Sequence, residues 1–205
     1  MRRSCWKSSA QLRSEVTDMG KKYNGELTRL GTFELTGPVL RVSDPCYDRD
    51  VWCCGTIENC KTGSWETAVL MQDEGDWGIR NAILVARHEE SGPELEAFRK
   101  VLNGNDKTWQ ECPFEVGVDS GQAGIFDDKH YQDNSVFDGM PAAEFDPDNS
   151  WYSHCCDITM SPLGAGVLPF GVVSSSGYGD GGYAALKHIG QDGRTDSVFI
   201  VFLDD

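Results

Sequence analysis

The six-residue run Val198-Phe199-Ile200-Val201-Phe202-Leu203 is apolar at every position. That is strand length, far short of the ~18 apolar residues a membrane-spanning helix needs, and no longer apolar run occurs in the chain. A strand apolar on both faces belongs in the middle of a sheet and is buried on both sides. Residues 183–189 precede it across Asp192-Gly193, a strong turn dipeptide, so the two segments are read as a hairpin.

Other strand signals fill most of the chain. Residues 32–35 and 39–42 flank Thr36-Gly37-Pro38, and residues 55–60 and 65–72 flank Lys61-Thr62-Gly63-Ser64. The turn Asp73-Glu74-Gly75-Asp76 leads into a strand over 77–88, marked by Ile79, Ala82, Leu84 and Ala86. Residues 114–118 and 123–126 form a further predicted hairpin around Asp119-Ser120-Gly121, and 167–174 reads as one strand. The spacing is that of a β-meander. One helix is specified: Ser91-Gly92-Pro93-Glu94 is a capping box, Leu95, Phe98, Val101 and Leu102 share a face, and Gly104 is the stop. Residues 151–160 fit either a strand or a short helix. The expected fold is mainly β (α+β): an antiparallel sheet, as an open barrel or sandwich, with one packed α-helix.

Charge divides the chain. Residues 1–22 carry six cations against two carboxylates, a net +4, which leaves −19 of the total −15 on residues 23–205. The first 22 residues read as a basic, flexible extension, and Met19-Gly20-Lys21-Lys22 resembles a start. Residues 23–205 read as one β-rich domain. A body this acidic is a poor ligand for a phosphate backbone, so neither nucleic-acid backbone nor membrane is expected as a partner. No apolar stretch of a secretory signal occurs near the start, so the eight cysteines are expected as reduced thiols in a cytoplasmic protein. None lies in a Cys-x-x-Cys pair; a zinc site from Cys46, Cys53 or Cys54, Cys60 and His154 is conceivable, but buried small hydrophobes are the favoured reading.

The sharpest motif is Ser174-Ser175-Ser176-Gly177-Tyr178-Gly179-Asp180-Gly181-Gly182-Tyr183. It formally matches G-x-G-x-x-G, but a hairpin follows where a dinucleotide-binding unit needs a helix. What remains is a loop able to cradle a ligand with its backbone, or a tight structural crossover held by Asp180. The candidate ligand-binding residues are Ser176, Gly177, Tyr178, Gly179, Asp180, Gly181 and Tyr183. A calcium-loop spacing over Asp146–Asp157 is weakened by Trp151, which stands where glycine is required. His154-Cys155 would point to opposite faces of a strand, so a Cys–His pair is unsupported.

Three motifs together, Ser43-Asp44-Pro45, the Val118 to Asp128 segment VDSGQAGIFDD, and SSSGYGDGGY, resemble an uncharacterised bacterial and phage family catalogued as domain of unknown function 4241. The resemblance spans about residues 24–205 in order, while residues 1–18 have no counterpart. It implies fold unity and points to these loops, without an established activity.

Asp44, Asp119, Asp127 and Asp180 fall at predicted strand ends or turns. Gathered together they would make an acidic, glycine-walled pocket able to hold a divalent cation. Two functions follow. The first is a small acidic binding module that captures a basic protein partner or a small ligand through the glycine loop and acidic hairpins, as a phage-type inhibitor imitating nucleic-acid charge would. The alternative is a divalent-metal-dependent hydrolase using the clustered aspartates.

Overall fold

The computed structural model describes residues 23, 25–95, 101, 108–145 and 149–203. Two antiparallel sheets pack face to face. The strands are β1 Glu26–Leu35, β2 Leu40–Ser43, β3 Gly55–Ile57, β4 Gly63–Asp73, β5 Ile79–His88, β6 Trp109–Val118 and β7 Gln122–Asp127, followed after the helix by β8 Ala165–Leu168, β9 Gly171–Ser175, β10 Gly181–Ile189 and β11 Thr195–Val201. The larger sheet runs β1-β4-β5-β11-β10-β6 and the smaller β3-β2-β7-β9-β8. A mainly β fold with two open antiparallel sheets is therefore what the chain forms. The helix packed on the smaller sheet is α1, Trp151–Thr159, which settles the open choice for that segment. Ser150 caps it by accepting from the Ser153 amide. The predicted helix over 91–104 lies mostly outside the described residues; of its apolar face, Leu95 and Val101 are described and buried.

β11 sits between β5 and β10, as its composition requires. Its side chains and those that follow alternate between two cores. Val198, Ile200 and Phe202 face the other sheet beside Trp65, Leu84 and Ile125. Phe199, Val201 and Leu203 face outward, beneath Tyr23, Leu95, Val101 and Trp109. Each such side chain taken out of water contributes about 1.5–3 kcal/mol. A third cluster, built on Phe126, Tyr131, Trp151 and Cys155, seats α1 against the smaller sheet.

The meander expectation is corrected at three turns. Residues 36–39, 58–62 and 119–121 are not hairpin loops, because each joins strands belonging to different sheets. The glycine loop, 176–180, is a fourth such crossing. Turn chemistry reverses a chain locally, but whether the next strand pairs with its predecessor or continues in the facing sheet depends on which faces must be buried. Residues 167–174 also split, into the β8–β9 hairpin. The β4–β5 and β10–β11 hairpins form as expected.

The registers define two ends of the sandwich. The upper end holds the crossings 119–121 and 176–180, the β4–β5 tip and the β2–β3 connection, residues 44–54. The lower end holds the crossings 36–39 and 58–62.

Candidate functional site at the upper end

Asp44 begins the 44–54 connection and is fully buried. Its Oδ1 accepts from the Cys46 amide at 2.8 Å and the Ser120 hydroxyl at 2.6 Å. Its Oδ2 accepts from the amides of Asp119 and Ser120 at 2.9 and 2.8 Å. The contact to Cys46 is a local turn that aspartate followed by proline favours; the other three fasten the crossing at 119–121. The two upper crossings are also tied together, since the Ser176 amide donates to the Gly121 carbonyl at 3.0 Å.

The glycine loop is held by residues other than Asp180. Tyr183 is buried, and its hydroxyl donates to the carbonyls of Ser176 and Gly179 at 3.0 and 2.6 Å. The Ser176 hydroxyl also donates to the Gly179 carbonyl at 2.9 Å. Gly177 has φ +59° and lies against Leu203 and the Phe202 carbonyl, where a side chain would collide. Tyr178 projects from the loop to the β4–β5 tip, where its hydroxyl donates to Glu74 at 2.6 Å and its ring meets Trp77 edge-on at 6.1 Å. Asp180 is exposed.

Beside this loop lies an open groove of about 590 Å³. Gly181 and Gly182 form part of its wall, and a Cβ on Gly182 would strike the Glu115 carboxylate. Three carboxylates, Glu115, Asp119 and Asp180, line the groove together with Tyr47 and Trp52, and no Lys or Arg among the described residues does. Trp52 is 89% exposed, an unusual position for so large an apolar ring. A hydrogen bond to Asp119, reinforced by burial, holds the Tyr47 phenol above its ordinary range.

The four predicted aspartates are thus divided. Asp44, Asp119 and Asp180 share the upper end, but Asp44 is sealed beneath the groove and only Asp119 and Asp180 line it. Asp127 pairs in register with Leu40, about 13 Å down β2 from Asp44. There it is buried, accepting from the Thr36 amide and hydroxyl and the Lys129 amide. Among the described residues no group of three or more His, Cys, Asp or Glu is placed to hold a metal ion. Glu115, Tyr47 and Trp52 escaped the sequence reading. The signal for Trp52 was a large apolar ring ending a polar loop, Asp48-Arg49-Asp50-Val51-Trp52.

Asp146 and Asp148 of the calcium-like spacing lie outside the described residues, and Asp157 accepts from the Glu144 and Phe145 amides. His154 and Cys155 lie on α1 and not on a strand: the imidazole stacks on Phe137 at 3.7 Å, and the thiol is fully buried. A second groove, of about 670 Å³, runs along the α1 flank between Met140, Phe145 and Met160; His154 and Asp157 line it, but none of the glycine-loop residues or the four predicted metal aspartates does.

The seven described cysteines are free thiols, five of them buried. Burial pushes the thiols of Cys60 and Cys112 up to about 12. Partial burial of the Cys46 sulfur and the adjacent Asp44 carboxylate do the same there. These groups stay protonated in the folded protein over a range where the unfolded chain ionises. Stability is therefore undiminished below pH ~9 and falls as pH rises towards 12. The reduced protein is expected to lose urea resistance steadily between pH 9 and 11, and Cys60→Ala with Cys112→Ala to flatten that slope. A midpoint indifferent to pH over that range would contradict the assignment.

No family model, curated protein or solved structure matches the chain. No helix among the described residues is long and apolar enough to cross a membrane.

Proposed function

We propose that this protein is a binding module that captures a basic partner at the upper end of its sandwich. The observation that carries this reading is the groove in which Trp52 stands beside Glu115, Asp119 and Asp180, with no Lys or Arg among the described residues that line it. A guanidinium or ammonium group entering it meets carboxylates that accept charge-assisted hydrogen bonds. It also meets an indole face, whose attraction for a cation is worth about 0.5–2 kcal/mol, depending on desolvation. The net charge of −15 steers basic surfaces towards the protein from a distance. A basic side chain on a protein and a small organic cation present the same chemistry to the groove.

A divalent-metal hydrolase needs carboxylates free to turn towards a metal. Those of Asp44 and Asp127 already accept four and three protein donors. No observation favours that alternative.

The test is calorimetric titration with tetra-arginine peptide at low and physiological salt. Saturable binding is expected, weakened by salt, and weakened at least about tenfold by Trp52→Ala, which corresponds to about 1.4 kcal/mol. Absence of binding, or binding that Trp52→Ala and Asp180→Asn both leave unchanged, would refute the reading.

A further inference from the structure

The β4–β5 tip exposes a second surface that the groove does not use. Trp77 and Ile79 are 68% and 70% exposed, and Tyr178, packed on Trp77, is 56% exposed. Large apolar groups contiguous at a surface mark an interaction site more often than single ones do. The rim is acidic on balance, with Asp73 and Asp76 exposed and Glu74 half-buried beside Tyr178, against Arg80, whose guanidinium lies 6.0 Å over the Tyr178 ring. Tyr178 is two residues from Asp180, so the glycine loop carries one residue of the patch and one of the groove.

We infer that the basic partner bears an apolar anchor beside its cationic side chains, and that this anchor seats on Trp77 and Ile79 while the cations enter the Trp52 groove. This rests on the reading above and extends it from a charge to a two-part motif. The occupant follows from complementarity: carboxylates flank both surfaces, so the segment crossing between them is cationic around an apolar contact. Burying the anchor adds affinity that salt does not screen, unlike the contribution of the charges.

The experiment compares tetra-arginine with the same peptide extended by Gly-Ser-Leu-Leu, on the wild type and on Trp77→Ala and Ile79→Ser. Both side chains are exposed, so neither change should disturb folding. The extended peptide is expected to bind about tenfold tighter. That gain should vanish in both variants, while tetra-arginine affinity stays unchanged. Equal affinity of the two peptides, or a gain that survives Ile79→Ser, would overturn the inference and leave the groove reading standing. Failure of both peptides to bind would overturn the groove reading and this inference with it.

Discussion

Replacing Asp44 by alanine is expected to lower the stability of the protein by about 3–5 kcal/mol, the upper end of what one substitution does. The carboxylate is fully buried and accepts four donors, three of them backbone amides. Alanine leaves those donors unpaired, and each orphaned buried amide costs about 1–3 kcal/mol. The damage should not stay local, because the crossing at 119–121 is the point where β6 of one sheet becomes β7 of the other. Asp44→Asn keeps one oxygen but turns an amide donor towards N–H groups, so it should fall between wild type and alanine. Urea unfolding measures both. A loss below about 1 kcal/mol for alanine would mean that water replaces the carboxylate, and that Asp44 is not the fastener described.

The second large effect is expected at Gly177. Its φ of +59° is a conformation that β-branched residues avoid, and an added Cβ would lie 2.8 Å from the Leu203 side chain and 3.0 Å from the Phe202 carbonyl oxygen. Gly177→Val therefore combines backbone strain of about 1–2 kcal/mol with overpacking of about 1–3 kcal/mol. Because Asp180 and Tyr178 ride on the same loop, the variant should also lose tetra-arginine binding at temperatures where it is still folded. Gly179→Ala is the control. That position also has positive φ, +113°, but open space around it, so only the strain is incurred. Equal losses in the two variants would show that packing against Leu203 is irrelevant to the loop.

What the sequence disclosed about the fold depended on how local the cause was. The burial of β11 on both faces was legible because both faces are written into consecutive residues, 198–203. The β4–β5 and β10–β11 turns were legible because Asp73 to Asp76 and Asp192-Gly193 reverse the chain by their own conformational preferences. The destination of the strand after Asp119-Ser120-Gly121 was not legible: the same turn serves a hairpin and a crossing, and the deciding contact comes from Asp44, about 75 residues earlier in sequence. The helix over Trp151–Thr159 was ambiguous since Tyr, Ser, Cys, Ile and Thr are mediocre helix formers, and burial of Trp151 and Cys155 decides it. In the site, Asp180 and the glycines stood out by composition. Glu115 and Trp52 did not, because their meaning comes from a groove between segments some 60 residues apart.

The four crossings between sheets also bear on how the chain reaches its native state. Neither sheet is built from an unbroken stretch of chain: the larger takes residues 26–35, 63–118 and 181–201, and the smaller takes 40–57 and 122–175. During synthesis β5 and β10 emerge with nothing between them, and the larger sheet lacks its middle until residues 195–201 are free of the ribosome. Contacts so distant in sequence close slowly, and strands waiting for a neighbour expose edges that invite pairing with other chains. Until β11 inserts, the facing edges of β5 and β10 are left without their native partner.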